Sequence, residues 1–184
     1  MQAMEIVDIS HEEYLQGELE SEIRHEYYEG KVYAMAGAGE KHNLISLNIA
    51  LALKQKAKGS SCKTFMADMK LYLSELDRFY YPDLLLTCDP EDSHEYYKEN
   101  PCLIVEVLSP STETIDRREK LHAYQEIASL KEYLLVSQEK KQLELYRRQQ
   151  DHWQYFLLQY DSDILHLDCL DLDLSMAVIY DEVL

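Results

Sequence analysis

The run PCLIVEVLSPST, Pro101 to Thr112, limits what this chain can fold into more than any other stretch. Leu103 to Leu108 is a short apolar segment rich in Val, Leu and Ile, the pattern of a strand buried on both faces. Glu106 breaks it. An ionised carboxylate left buried and unpaired costs several kcal/mol, so the fold must give Glu106 a cation, a hydrogen-bond partner or a proton.

A second lone carboxylate stands at the edge of an apolar run one strand earlier, Asp83 in YYPDLLLTCD. Pro82 cannot donate to a strand ladder, which places Asp83 where that strand begins or is bulged. If the two strands are antiparallel neighbours, Asp83 falls opposite the later part of the second strand, where Glu106 lies. Two carboxylates converging from adjacent strands suit Mg²⁺ or Mn²⁺, hard cations that take oxygen ligands and keep several waters. Such a cation polarises a phosphoryl oxygen and lowers the pKa of a bound water. A cationic side chain that stabilises charge on the phosphorane would complete the site.

Lys120 is the candidate. On a helix predicted over Asp116 to Ala128, with an apolar stripe of Leu121, Tyr124, Ile127 and Ala128, it lies about 40° around from Tyr124 and can reach inward. Plainer readings stand beside these: a turn or bulge cap for Asp83, an ion pair with an arginine for Glu106, and a lysine snorkelling to solvent for Lys120.

Elsewhere the pattern is of mixed helix and strand. Ser10 and Glu13 make a capping box before a short helix, roughly His11 to Gln16, and Asp116 with Glu119 gives a similar start to the later one. RHEYYEGKVYAMAG reads as a hairpin around Glu29 and Gly30. From His42 to Lys58, Leu44, Leu47 and Leu51 recur with Ile45 and Ala52 at helical spacing, and Gly59 follows as a cap. CKTFMADMKLYL and FYYPDLLLTCD read as strands, and after the second helix come EYLLVS, QLELYRR, WQYFLLQY and an alternating ILHLDCLDLDL. At 184 residues, with no repeat or Pro/Gly/Ser linker, this predicts one domain over 1–184, an α/β (α+β mixed) fold with a central sheet and helices against it.

Neither a long apolar run nor a basic, apolar N-terminus occurs, so the expected location is cytoplasmic, without membrane association. Cys62, Cys88, Cys102 and Cys169 show no CxxC pairing and read as reduced, mostly buried thiols rather than a zinc site or disulfide framework. The formal charge of −17 repels polyanions on average. Nucleic-acid binding must then rest on local features, DRREK at Asp116 to Lys120 and the pair Arg147 and Arg148. Asp161 to Leu184 holds seven acids and no Lys or Arg, so that tail should face away from DNA.

Taken together, RHEYYEGKVYAMAG, HNLISLNIALAL, FMADMKLYL, YYPDLLLTCD, PCLIVEVLSPSTETIDRREKLHAYQEIASLKEYLLVS and LELYRR resemble the Uma family of restriction endonucleases. That family, once a domain of unknown function, lies within the PD-(D/E)XK nuclease superfamily, and the resemblance covers nearly the whole chain. It implies a restriction-endonuclease-like mixed sheet flanked by helices, with Asp83 and Glu106 as metal ligands. The lysine of the E-x-K pattern should stand two residues after Glu106, where this chain has Leu108; Lys120 resembles that lysine displaced to the following helix. The resemblance also brings in Glu26 as an early acidic catalytic residue, Asp68 near the metal and His42 near substrate, while His42 as a surface or capping residue stays open. Arg117 and Arg118 join His42 and Asp68 as candidate substrate contacts.

The implied activity is Mg²⁺- or Mn²⁺-dependent cleavage of DNA. A nuclease-fold module that binds or builds without cutting is the competing reading, favoured by the charge and by Leu108. Paired carboxylates also serve glycoside hydrolysis, but a glycosidase site is usually lined with Trp and Trp153 stands alone here. The aromatic-rich strands WQYFLLQY and QLELYRR offer a face for a homodimer, or are ordinary core and edge.

Overall fold

The segment carrying Glu106 forms β8 (Pro101–Leu108), buried at every position, in a computed structural model that describes residues 8–184. It lies inside a six-stranded sheet with β3 (Lys63–Met66), β6 (Leu84–Thr87), β9 (Glu132–Ser137), β10 (Leu143–Arg148) and β11 (Trp153–Leu158), in the order β11-β10-β9-β8-β6-β3. β6 and β8 are antiparallel, and β8 and β9 are parallel. Parallel neighbours need a long crossover. Here it contains α3 (Glu113–Ile115), a π-helical turn at Asp116–Lys120 and α4 (Leu121–Gln125).

A second sheet runs β2-β1-β5-β4-β7, from β1 (His25–Tyr28), β2 (Lys31–Ala34), β4 (Lys70–Leu73), β5 (Arg78–Tyr80) and β7 (Tyr97–Lys98). Before it comes α1 (His11–Glu20), and α2 (Glu40–Lys56) follows its first hairpin. The chain ends in a hairpin of β12 (Ile164–Leu167) and β13 (Leu172–Ser175), then α5 (Met176–Ile179). The fold is mixed α/β, as expected, with a β-rich N-terminal hairpin and a C-terminal meander. No helix among the described residues is long and apolar enough to cross a membrane.

Local chemistry explains the elements that were easiest to read. Ser10 Oγ accepts from the Glu13 N–H at 3.2 Å while the Glu13 carboxylate accepts from the Ser10 N–H at 2.8 Å, and the helix so capped runs to Glu20, one turn beyond the expected end. Glu29 (φ 47°) and Gly30 (φ 87°) both take positive φ in the β1–β2 turn, the geometry of a twisted two-residue hairpin. A side chain at Gly30 would also meet Asp8 Cβ at 2.8 Å.

Alternation along β8 separates two cores. Leu103, Val105 and Val107 join Ile45, Ile49 and Leu53 of α2, with Leu165, Leu174 and Ile179 of the C-terminal elements. Ile104 and Leu108 face the opposite way, among Leu71, Leu73 and Tyr80 of the second sheet and Ala123 and Tyr124 of the crossover. Glu106 shares that second parity.

Three expectations need correction. The inward face of α2 is Ile45, Ile49 and Leu53, whereas Leu47 is 51% and Leu51 is 56% exposed. Both faces of this helix carry aliphatic residues, so periodicity did not mark the one the sheet covers. The crossover helix starts at Glu113 rather than Asp116 and ends at Gln125 rather than Ala128, so Asp116 is no cap; it is buried within a turn. Cys62 and Cys88 are bonded as a disulfide, with Cys102 and Cys169 free, because β3 pairs with β6 and brings the two flanking cysteines together. The acidic N-terminal stretch read as unlike a leader begins in residues 1–7, outside the described residues.

Truncation should separate the two faces of α2. Leu53→Ala is expected to cost about 2–5 kcal/mol in denaturant unfolding, and Leu51→Ala no more than about 0.5 kcal/mol.

Candidate active site

Asp83 directly precedes β6, and the β6–β8 pairing sets Leu84 against Val105, so Asp83 continues the ladder opposite Glu106. The structure therefore supplies the antiparallel neighbourhood that this juxtaposition requires. The Asp83 N–H donates to Glu106 Oε2 at 3.2 Å, and the Val107 N–H donates to Asp83 Oδ2 at 2.7 Å. Each carboxylate is held by the backbone of the other's strand.

The crossover adds the cation. Asp116, Lys120 and Tyr124 lie four residues apart along the π turn and α4, and all three point inward, with Asp116 1% and Lys120 5% exposed. Lys120 Nζ is 3.1 Å from Glu106 Oε1, 3.0 Å from Glu26 Oε1 on β1 and 3.4 Å from Asp116 Oδ1. The Tyr124 hydroxyl donates to the same Glu106 Oε1 at 3.0 Å. Lys120 thus bridges three elements and does not snorkel to solvent. The ammonium also lies over an aromatic face, with Nζ 5.7 Å from the Tyr80 ring centre.

His42, at the first turn of α2, places Nε2 3.0 Å from Asp83 Oδ2. A cavity of about 290 Å³ opens over this group, lined by His42, Tyr81, Asp83, Glu106, Asp116 and Lys120 together with the loops at 35–39 and 109–112. Glu26 reaches Lys120 without lining it.

Charge in this pocket is unbalanced. Four carboxylates, Glu26, Asp83, Glu106 and Asp116, surround one ammonium and one imidazole. Burial pushes the Glu106 carboxyl well above its ordinary value, with Lys120 opposing and Asp116, Asp83 and Glu26 reinforcing the rise. Burial likewise raises Asp116 against the pull of Lys120. For Lys120 burial works toward neutrality, but Glu106, Glu26 and Asp116 outweigh it and hold the ammonium well above the usual lysine range. His42 behaves alike: burial works against its charge and the Asp83 hydrogen bond prevails, so its pKa is raised. Burial and mutual repulsion thus raise Glu106 and Asp116, and ion pairing raises the two cations.

The other candidates are placed differently. Asp68 is exposed and paired with Arg24 at 3.2 Å. Arg117 is engaged with Glu113 at 2.8 Å and with the buried Glu144, while Arg118 is exposed. Arg147 and Arg148, read as a basic feature, have internal partners. Arg147 pairs with the buried Glu132 at 2.9 Å and with Asp168 at 3.2 Å, and Arg148 donates to the carbonyls of Gln125, Ile127 and Leu130. They tie β10 to its neighbours. Asp116 was missed as a site residue because its position at the start of a helical pattern reads as a cap; its spacing of four before Lys120 was the available signal.

Comparison with known proteins places the chain in a family and a fold. Residues 11–178 match the Uma2 model, described as "Putative restriction endonuclease", and the chain belongs to that family. Two similar relatives come from Synechocystis sp. (strain ATCC 27184 / PCC 6803 / Kazusa). The uncharacterized protein slr1290 is 37% identical over 94% of this chain and 91% of its own length. The uncharacterized protein sll1609 is 32% identical over 74% and 78%. In fold, the chain is similar to the crystal structure of a "putative nuclease belonging to DUF820" from Anabaena variabilis ATCC 29413, with a TM-score of 0.75 at 19% identity over 96% of this chain and 99% of that one.

Removing the ammonium should expose the charge imbalance. Lys120→Met is expected to destabilise the fold by about 3–5 kcal/mol, since it leaves buried carboxylates without their partner; denaturant unfolding at neutral pH measures it.

Proposed function

We propose that this protein is a Mg²⁺- or Mn²⁺-dependent endonuclease that hydrolyses phosphodiester bonds of DNA. The observation that carries the reading is the meeting of Asp83, Glu106 and Lys120 in one cavity, from two adjacent strands and the crossover between β8 and β9. The family and the nuclease-like fold support it.

Among the described residues, no three Asp, Glu, His or Cys side chains already form a cluster that would hold a metal ion. Mg²⁺ does not need one, because it is commonly held by one or two carboxylates together with waters and substrate phosphate. The donor set fits that habit. Both side-chain contacts of Asp83 fall on Oδ2, and Asp116 Oδ1 is buried without a hydrogen-bond partner among the described residues, its approach to Lys120 being an ion contact at 3.4 Å. Asp83 and Glu106 would hold the cation, which supplies Lewis acidity and lowers the pKa of a bound water.

The chain's own groups would do the rest. Val107 N–H and His42 fix the Asp83 carboxylate, and Tyr124 fixes Glu106. Lys120 places positive charge where negative charge grows on the phosphate as water attacks. Glu26 and Asp116 hold that ammonium in position. Arg118, exposed beside the cavity-lining turn, is assigned to the DNA backbone, as is His42 at the cavity wall; Asp68 is kept as a more distant contact through Arg24.

A second reading, binding or structural service without cleavage, draws on the engagement of Lys120 with three carboxylates and of Arg117, Arg147 and Arg148 with internal partners. We further propose a cytoplasmic homodimer through the edge of β11, which has no strand beside it among the described residues and where Tyr155 and Leu157 are exposed.

Asp83→Asn should abolish Mg²⁺- or Mn²⁺-dependent cutting of plasmid DNA while the unfolding midpoint stays close to that of wild type. Undiminished cutting by the variant would overturn the assignment. Wild type that binds duplex, nicked and single-stranded DNA but cuts none of them would establish the second reading. For the dimer, Leu157→Arg should lower the mass seen by sedimentation from two chains to one.

A further inference from the structure

Four cysteines far apart in sequence meet at one place in the fold. Cys62 precedes β3 and Cys88 follows β6; the pairing of Lys63 with Thr87 sets them side by side, and they are bonded. Cys102, on β8, is buried and free, and its Sγ lies 3.7 Å from Cys88 Sγ. Cys169 is drawn to the same place through the backbone. The Cys102 carbonyl accepts from the Lys131 N–H at 3.0 Å, and the next side chain, Glu132, accepts from the Cys169 N–H at 3.0 Å. All four pack around the core shared by α2 and the six-stranded sheet.

We propose that these cysteines form a thiol–disulfide exchange centre, with Cys102 as the internal nucleophile and Cys169 as the next thiol in line. The Cys102 thiolate attacks Cys88 Sγ, forming a Cys88–Cys102 bond while the Cys62–Cys88 bond breaks and its electron pair leaves on the Cys62 thiolate. The proton lost by Cys102 is balanced by the one Cys62 takes up. Attack by Cys169 on Cys102 Sγ repeats the step, giving Cys102–Cys169 and releasing Cys88. Each step moves one disulfide without external oxidant. Reduction of the centre takes a small dithiol, which enters at the half-buried Cys62 or Cys88.

The surroundings favour Cys102 as the attacking group. The neighbouring Cys169 thiol draws the Cys102 thiol below its ordinary value against the effect of burial, Lys131 adds to the lowering, and Cys169 itself is pushed up, which makes Cys102 the first to attack. The thiolate is the reactive form. Exchange would also relocate the cross-link, from β3–β6 to β6–β8 and then to the turn after β12. Asp83 and Glu106 stand toward the opposite end of β6 and β8, about 16 Å from Cys88 and about 13 Å from Cys102 at 3.3 Å per residue, so the centre is separate from the proposed nuclease site.

The test is disulfide mapping by mass spectrometry after acid quench and alkylation of protein prepared without reductant. Wild type should give mainly the Cys62–Cys88 peptide pair, and limiting dithiothreitol should add Cys88–Cys102 and Cys102–Cys169 pairs. Cys62→Ser, equilibrated with oxidised glutathione, should form Cys88–Cys102, whereas Cys102→Ser should lose every bond except Cys62–Cys88. Should Cys62→Ser fail to fold, the dithiothreitol series on wild type decides alone. Four alkylated thiols after equilibration of wild type with oxidised glutathione would overturn the proposal. So would Cys62–Cys88 passing to free thiols with no Cys102-linked species, or stoichiometric Zn²⁺ on the reduced protein that blocks all four thiols.

Discussion

The meeting of both sheets and the crossover at the cavity depends on one ammonium. Lys120 touches Glu106 on β8, Glu26 on β1 and Asp116 on its own turn, so a single buried charge joins the six-stranded sheet, the second sheet and the crossover. A buried ion pair contributes little net stability against an apolar replacement of the same shape, yet breaking it from one side is costly. The arrangement is therefore better explained by what it holds ready than by what it stabilises. It keeps carboxylates together that would otherwise repel, and it does so at the floor of an open cavity.

Geometry and electrostatics agree on why the acids belong there. Strand pairing alone sets Asp83 against Glu106, and the parity of β8 turns Glu106 away from α2 toward the crossover. The crossover then supplies a lysine from a position that strand spacing could not reach, because Leu108 is needed in the core. Burial and the crowding of acids together raise the Glu106 and Asp116 carboxyls, and that crowding is what the proposed divalent-cation reading rests on.

Local signals in the sequence were read well. Ser10 and Glu13 cap a helix, Glu29 and Gly30 turn a hairpin, and Asp83 begins a strand antiparallel to that of Glu106; each follows from residues close together or from strand order. The inward face of α2 was not legible, since Leu47 and Leu51 are as apolar as Ile49 and Leu53 and only the covering sheet distinguishes them. Glu144 and Glu132 take up Arg117 and Arg147, pairings that depend on strand neighbours distant in sequence. The meeting of Cys62 with Cys88 needed the β3–β6 register, which spacing does not encode. Asp116 looked like a cap because Glu119 follows it at capping-box spacing, whereas the helix had already begun three residues earlier.

The widened turn at Asp116–Lys120 has a consequence for how such a site can change over time. A π turn holds one residue more than an α-helix would at the same place, and each residue turns a helix by about 100°. Loss of a single residue here would regularise the backbone while swinging Lys120 out of the cavity, with every side chain of the site still encoded. Among descendants of such a gene, chain length across these five positions would then decide whether Lys120 still meets Glu106 and Glu26 more sharply than the identity of the acids.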